Sequence, residues 1–187
     1  MNPINELSDV LAKSKQLEPL IAASGRAVVT CLKAGGKILS CGNGGSAADA
    51  MHLTEELVGK YHAPRRALPA ICLSADPTAL TCIANDYGYE QVFSRQVEAF
   101  AREGDVFVAF TTSGNSPNVL AAIAAARKAG ARTILLGGKD GGKARGQSEI
   151  ELLVPSQNTA RIQEVHTLIF HSWLDLVDVE FASASGD

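Results

Sequence analysis

The stretch KILSCGNGGS (Lys37–Ser46) places a short apolar run directly before a Gly-rich turn that leads into a helical pattern. An apolar strand that enters a helix through such a turn is typical of the first half of a βαβ unit. The strand predicted here is Lys37–Cys41, and four more apolar runs follow it at Ala70–Leu73, Asp105–Phe110, Arg132–Leu136 and Ile150–Val154. Their nearly unbroken apolar character indicates strands covered on both faces. We therefore predict a doubly wound, three-layer α/β sandwich with a five-stranded parallel sheet and flavodoxin-like topology.

Helical patterns lie between and around these strands. Ser46 is a candidate N-cap for the helix after the first strand, and the last helix should run from about Asn158 to Phe181. Residues after about 181 are small and polar, so we expect a frayed tail. The helices predicted at about 3–34 precede the first strand and have no evident strand to cover, so we expect them at a subunit interface. The chain is predicted to form one domain over residues 1–187.

The composition argues against several classes of protein. A chain of 187 residues with 46% apolar content is long enough for one core and short for two ordinary domains. The balance of 17 basic and 20 acidic residues, without a basic block, argues against a nucleic-acid partner. No apolar segment of membrane-spanning length and no signal peptide are evident, so we expect a soluble, cytoplasmic protein. Four cysteines without CxxC spacing are expected to be reduced and mostly buried: Cys31, Cys41, Cys72 and Cys82.

Two polar loops follow the first and third predicted strands and should meet at one edge of the sheet, where parallel α/β folds bind ligands. The loop at residues 42–46 is Gly-rich, which lets backbone N–H groups and a helix N-terminus approach an anion. It could equally be a tight connection that binds nothing, and it fits neither the dinucleotide nor the Walker pattern. The loop Thr111–Pro117 carries four hydroxyls around Gly114. Together the loops predict a site for a phosphorylated polyol.

Three side chains are candidates for chemistry. His52 and Glu56 lie four residues apart on one helix face, a spacing that suits metal binding or proton transfer and also occurs in solvated pairs. His171, in an aromatic stretch of the last helix, is either functional or a satisfied core histidine. Gln163 lies eight residues before His171, a rise of roughly 12 Å on a helix. If both serve one site, either the helix starts late or another subunit contributes one of them.

Several short motifs, in this order, resemble the sugar isomerase (SIS) domain family and, within it, the phosphoheptose isomerase family. They are Ser40–Ser46, Asp49–His52, Glu55–Leu57, Asn85–Asp86, Thr112–Ser116, Gly138–Lys143 and Arg161–His166. The resemblance spans nearly the whole chain. It implies that an enediol proton transfer converts sedoheptulose 7-phosphate to D-glycero-D-manno-heptose 7-phosphate, the first step of ADP- or GDP-heptose synthesis for lipopolysaccharide or other surface glycans.

The same resemblance implies a site with Glu56 as the base and His171 as the acid. It implies one zinc ion per subunit, held by His52, Glu56, Gln163 and His171. A His171 nitrogen bound to zinc cannot carry a proton at the same time, so either the metal is structural or a ligand exchanges during turnover. The expected substrate contacts are Asn43, Gly44, Gly45, Ser46, Glu56, Asn85, Asp86, Thr111, Thr112, Ser113, Ser116 and Gln163.

The expected partners are a phosphorylated seven-carbon sugar and other copies of the chain in a homotetramer, with sites completed across subunit boundaries and with no membrane or nucleic acid. The alternative function is that of a non-catalytic SIS-domain protein that binds the replication initiator. Such proteins share the Gly-rich motif but lack the full acid/base set, so the presence of both Glu56 and His171 favours the enzyme. A sugar-phosphate sensor attached to a transcription regulator is a third possibility, but no DNA-binding segment accompanies this domain.

Overall fold

A computed structural model describes residues 2–182 of the chain. It contains a five-stranded, entirely parallel sheet with the strand order β2-β1-β3-β4-β5. The strands are β1 (Ile38–Cys41), β2 (Ala70–Cys72), β3 (Val106–Thr111), β4 (Arg132–Gly138) and β5 (Ile150–Val154). All five predicted strands are confirmed to within two residues. The strand β4 runs past its predicted end because Gly137 and Gly138 continue the ladder opposite β5.

Helices cover both faces of this sheet. They are α1 (Pro3–Ser14), α2 (Glu18–Lys33), α3 (Gly45–Val58), α4 (Pro77–Tyr87), α5 (Ser94–Phe100), α6 (Pro117–Lys128) and α7 (Thr159–Phe181). On one face α2 and α3 pack against α7, and on the other α5 packs against α6. The predicted end of the last helix at Phe181 is confirmed, whereas most of the predicted frayed tail lies outside the described residues. Within residues 2–182, no helix has the length and apolar character that a membrane span requires.

The hydrophobic core lies in two parts, one on each face of the sheet. Along β3, Val108 and Phe110 belong to the part under α2, α3 and α7, whereas Phe107 and Ala109 belong to the part under α5 and α6. Side chains of a strand point alternately to the two faces. The unbroken apolar run of β3 therefore reflects burial on both faces, as the sequence indicates.

The helices before β1 differ from one another in burial. Seven residues of α2 are buried, and this helix packs against α7 and β5, so it covers part of the chain's own sheet. The sequence did not indicate this packing. In α1 only Val10 and Ser14 are buried. The location of the N-terminal helices at a subunit interface stays a prediction.

All four cysteines are free thiols, as predicted. Cys31 and Cys41 are buried, Cys72 is half-buried and Cys82 is exposed. The expectation of buried thiols is thus confirmed for Cys31 in α2 and Cys41 in β1. Burial raises the pKa of the Cys31 thiol to about 11, so this thiol stays protonated at neutral pH.

Candidate active site

The two polar loops meet at the topological switch point of the sheet. β1 and β3 are neighbours, but the chain leaves β1 towards β2 on one side and leaves β3 towards β4 on the other. Open α/β sheets bind ligands in the crevice that this divergence creates. A cavity of about 290 Å³ lies there, which we call the hydroxyl pocket. It brings together eight predicted contact residues: Asn43, Gly45, Ser46, Thr111, Thr112, Ser113, Ser116 and Gln163.

The first loop reaches α3 through glycines rather than through a side-chain cap. The N-cap of α3 is Gly44, with φ 59°, and Ser46 is buried in the first turn, so the prediction of Ser46 as the cap is wrong. A backbone with this φ suits glycine because it has no Cβ. At Gly45, a Cβ would lie 2.5 Å from Nε2 of Gln163. The absence of a side chain there lets Gln163 of α7 close over the loop.

In the second loop, two hydroxyls accept hydrogen bonds from the loop's own backbone, and a third, that of Ser116, does not cap the following helix. The backbone N–H of Gly114 donates to Thr111 Oγ1 over 3.1 Å, and that of Asn115 donates to Ser113 Oγ over 3.2 Å. Ser116 is the N-cap of α6, but its side chain makes no capping hydrogen bond. Among the described residues of this chain, no lysine or arginine lines the hydroxyl pocket, so an anion there would depend on hydroxyls and helix N–H groups.

Asn43 connects the two loops through residues that sequence reasoning missed. Its amide group exchanges two hydrogen bonds of 2.9 Å with the amide of the buried Asn118 in α6. The hydroxyl of Tyr89 also donates to Asn43 Oδ1 over 3.1 Å. The only available sequence signal was a polar Asn118 on the buried face of α6.

Two predicted contacts lie away from the hydroxyl pocket. Asn85 and Asp86 are exposed near the end of α4, where Asn85 Nδ2 donates to Asp86 Oδ1 over 2.7 Å. Neither residue lines the pocket of its own chain. Their role in substrate binding stays a prediction.

A second group of predicted residues, which we call the histidine cluster, contains His52, Glu56 and His171. His52 Nε2 lies 3.4 Å from Glu56 Oε1, and the ring centroids of His52 and His171 are 5.1 Å apart. The ring of Tyr61 lies 5.4 Å from that of His171 and was not predicted. Burial and the neighbouring His52 lower the pKa of His171, against the opposing effect of Glu56. This direction favours the neutral imidazole, the form that binds metals.

The histidine cluster fits a zinc ion in its donor chemistry. Imidazole nitrogens and carboxylate oxygens are zinc ligands, and two ligands on a tetrahedral zinc lie roughly 3.3 Å apart. The separation between His52 and Glu56 is close to that value. Glu55 Oε1 lies 4.0 Å from His52 Nε2, with a side chain that is 65% exposed. Nε2 of His171 is buried and has no hydrogen-bond partner among the described residues, so it is free to bind a ligand.

Gln163, the fourth predicted zinc ligand, lies apart from the other three. The helix α7 is continuous from Thr159 to Phe181, which removes the possibility that it starts after Gln163. Gln163 lines the hydroxyl pocket. His171 lies roughly 12 Å further along the helix axis and belongs to the histidine cluster. Between them, Thr167 donates to Asp49 Oδ1 over 3.3 Å. One chain therefore assembles two half-sites on the α3–α7 pair.

A larger cavity of about 650 Å³ lies elsewhere, between α4, α5 and the edge strand β2. Apart from Asp76, Arg95 and Gln96, its walls are apolar or carry a thiol. Neither polar loop reaches it. Its size alone does not make it a site for a phosphorylated polyol, because no side chain among the described residues that line it carries a hydroxyl group.

A family model described as the SIS domain matches residues 4–138. The chain therefore belongs to this family. More distant structures agree with this fold. The NanR protein of Vibrio vulnificus, solved with ManNAc-6P, has a TM-score of 0.67 at 16% identity over 94% of this chain and 60% of its own.

Relatives of higher sequence identity are named phosphoheptose isomerase. The phosphoheptose isomerase of Citrifermentans bemidjiense is 54% identical over 165 residues, which cover 88% of this chain and 86% of the relative. That of Salmonella paratyphi B is 49% identical over 183 residues, covering 96% and 95%. The solved phosphoheptose isomerase of Neisseria gonorrhoeae has a TM-score of 0.87 at 41% identity, covering 94% of this chain and 95% of that chain. Within the SIS family, the chain therefore belongs to the phosphoheptose isomerases.

Proposed function

We propose that this chain isomerises sedoheptulose 7-phosphate to D-glycero-D-manno-heptose 7-phosphate, the first step of ADP- or GDP-heptose synthesis for lipopolysaccharide or other surface glycans. The observation that carries the proposal is that α3 and α7 bring together a pocket rich in hydroxyls and a cluster of two histidines and a glutamate. The naming of the relatives supports the same reaction. The alternative of a non-catalytic protein that binds the replication initiator has no support in these relatives.

The hydroxyl pocket is proposed to hold the phosphate. The N-termini of α3 and α6 both open into it, so their free N–H groups and helix dipoles favour an anion. Ser116 adds a hydroxyl that the helix does not use as a cap. The proposed contacts of the whole substrate are Asn43, Gly44, Gly45, Ser46, Glu56, Asn85, Asp86, Thr111, Thr112, Ser113, Ser116 and Gln163.

The histidine cluster is proposed to move the proton. Glu56 accepts the proton from C1 of the ketose, and His171 supplies a proton at C2, while the hydroxyl proton passes from O1 to O2. A proton then returns from Glu56 to His171, so both side chains recover their starting protonation states. The product is an isomer of the substrate, so no oxidant or second substrate is consumed. Glu56, whose side chain is 18% exposed, lies beside His52 rather than in open solvent, as a positioned base requires.

The proposal includes a zinc ion, which His52, Glu56, Gln163 and His171 would hold. Because a zinc-bound nitrogen of His171 cannot carry a proton, His171 would leave the ion when it supplies its proton. When bound, zinc supplies a Lewis acid that polarises the substrate carbonyl. Because Gln163 and His171 of one chain lie too far apart to share an ion, we propose that Gln163 comes from a second copy. The active unit is then a cytoplasmic homotetramer with its sites at subunit boundaries.

The direct experiment is to incubate the zinc-loaded protein with sedoheptulose 7-phosphate and to follow formation of the aldose. We expect conversion that stops at an equilibrium mixture of the two isomers. Unphosphorylated sedoheptulose is the matched control, and it should react much more slowly because the hydroxyl pocket then has no anion to hold. A folded, zinc-loaded protein that leaves the phosphorylated ketose unchanged would contradict the proposed function.

A further inference from the structure

Arg65 is buried in a loop that has no helix or strand of its own. This loop joins the end of α3 to β2, and the Arg65 side chain within it has 0% exposure. Its guanidinium donates to the carbonyl oxygens of Glu56, over 2.5 Å, and of Leu57, over 2.9 Å. These carbonyls lie in the last turn of α3, where helical partners are missing. Arg65 thus binds the main chain of the proposed base itself.

Asp178 of α7 is the counter-ion of Arg65. Its Oδ1 accepts from Arg65 Nε over 3.1 Å, and its Oδ2 accepts from the backbone N–H groups of His62 and Ala63 over 2.8 and 3.1 Å. Burial alone would raise the pKa of Asp178, but these donors outweigh it and lower the pKa, so the carboxylate stays charged. The pair therefore joins the loop to the helix that carries His171.

The loop held in this way also contacts the histidine cluster. Tyr61 lies against the ring of His171, with centroids 5.4 Å apart, and the ring of His62 lies 3.8 Å from that of Tyr61. Nε2 of His62 faces the carboxylate of Asp175 at 3.8 Å. The Arg65–Asp178 pair thus binds the main chain of Glu56, the proposed base. It also fixes the loop whose Tyr61 packs against His171, the proposed acid.

We propose that Arg65 and Asp178 are positioning residues that set the placement of Glu56 relative to His171. Neither side chain lies in the hydroxyl pocket. They act through the main chain of α3 and through the loop, and a displacement of about 1 Å between catalytic groups is enough to cost about a hundredfold in rate. The inference rests on the proposed function, because it takes Glu56 and His171 as the reacting groups.

Asp105, directly before β3, offers a matched control that does not belong to the histidine cluster. It also accepts two backbone N–H groups, from Lys37 over 3.0 Å and from Arg102 over 2.8 Å, and one cationic side chain, Lys37 Nζ, over 2.6 Å. Its side chain is 4% exposed, against 9% for Asp178. Replacement of either aspartate by asparagine removes the charge of a buried pair, but only one of the pairs touches the histidine cluster.

The experiment compares Asp178→Asn with Asp105→Asn and wild type. We expect both variants to melt at a lower temperature. At a temperature where all three are folded by circular dichroism, Asp178→Asn should lose about 10- to 100-fold in kcat with KM nearly unchanged, and its affinity for Zn²⁺ alone, measured by calorimetry, should fall about 10-fold. Asp105→Asn should keep wild-type kcat and Zn²⁺ affinity.

Wild-type kcat and Zn²⁺ affinity in folded Asp178→Asn would overturn the inference, and so would equal losses in both variants, which indicate general loosening. If Asp178→Asn does not fold, Arg65→Lys is measured in the same way, because lysine keeps the charge but not the forked donors. A wild-type kcat in folded Arg65→Lys would also overturn the inference. An inactive wild-type protein that still binds Zn²⁺ would instead count against the proposed function.

Discussion

Glu56 and Glu55 are adjacent on α3 but have different surroundings. The Glu56 side chain is 18% exposed and faces His52, whereas that of Glu55 is 65% exposed. We expect Glu56→Gln to lower kcat about a hundredfold or more, because the amide cannot accept the substrate proton. Glu55→Gln, the matched control, should lose far less. Initial rates of aldose formation measure both effects, and near-normal turnover in folded Glu56→Gln would remove Glu56 from the mechanism.

A substitution at Ser116 should affect substrate binding without affecting the stability of α6. Because its hydroxyl makes no capping hydrogen bond, Ser116→Ala should leave the melting temperature nearly unchanged. The same change removes a donor from the hydroxyl pocket, so KM for the phosphorylated sugar should rise about 10- to 100-fold, as expected for the loss of one hydrogen bond to a charged group. Steady-state kinetics and thermal unfolding test the two parts. An unchanged KM would place the phosphate elsewhere.

The contact between α7 and β4 contains a buried histidine that makes stability depend on pH. Nε2 of His166 donates to the carbonyl of Gly137 over 2.9 Å, and the ring is fully buried. Burial lowers its pKa to about 4, against the opposing effect of that hydrogen bond. The unfolded chain takes up the proton below about pH 6.5, but the folded chain does so only near pH 4. His166 therefore costs about 3 kcal/mol of stability as pH falls through this window.

Asp49, at the α3–α7 contact, acts in the opposite direction. Burial raises its pKa from 3.8 to about 6, so protonation of Asp49 favours the folded state as pH falls from about 6 to 4. Urea unfolding of wild type and His166→Gln at pH 7 and pH 4.5 isolates the histidine, since both proteins keep Asp49. We expect His166→Gln to lose less stability than wild type between these pH values. Equal losses would show that His166 does not titrate as its burial requires.

The elements of the fold were largely predictable, and the failures have local causes. Strands such as β3 are unbroken apolar runs, and Asn158 caps α7 with its side chain at the predicted start. Ser46 was misread as a cap because Gly44, with a φ of 59°, caps the helix two residues earlier than the pattern of side chains indicates. The packing of α2 on α7 was not predictable, since an apolar helix face shows that the helix is covered but not which element covers it.

At the scale of the whole molecule, the sequence predicted the parts of the candidate site that directly follow strands. It did not predict the contacts between residues far apart in the sequence. The pocket loops follow β1 and β3, and the fold places such loops together. The pair Arg65–Asp178 joins residues 113 positions apart, and Asn43–Asn118 joins residues 75 apart. No local pattern encodes such pairs, because only the completed fold brings their side chains together.

The two half-sites of one chain bear directly on assembly. Gln163 lines the hydroxyl pocket, whereas His171, roughly 12 Å further along α7, lies in the histidine cluster with Glu56 of α3. If a second copy supplies Gln163 to each histidine cluster, an inactive Glu56→Gln protein and an inactive Gln163→Ala protein should complement one another. In a closed symmetric oligomer that exchanges subunits freely, about a quarter of the sites regain both wild-type groups.

The measurement is the aldose-forming activity of the exchanged mixture, set against each variant alone. The control mixture pairs Glu56→Gln with His171→Ala, whose mutated groups lie in the same cluster of one chain, so no site should recover both. We expect activity to return in the first mixture and to stay absent in the second. Because native mass spectrometry can verify that mixed oligomers form, their presence without recovered activity in the first mixture would show that Gln163 and Glu56 do not act across a subunit boundary.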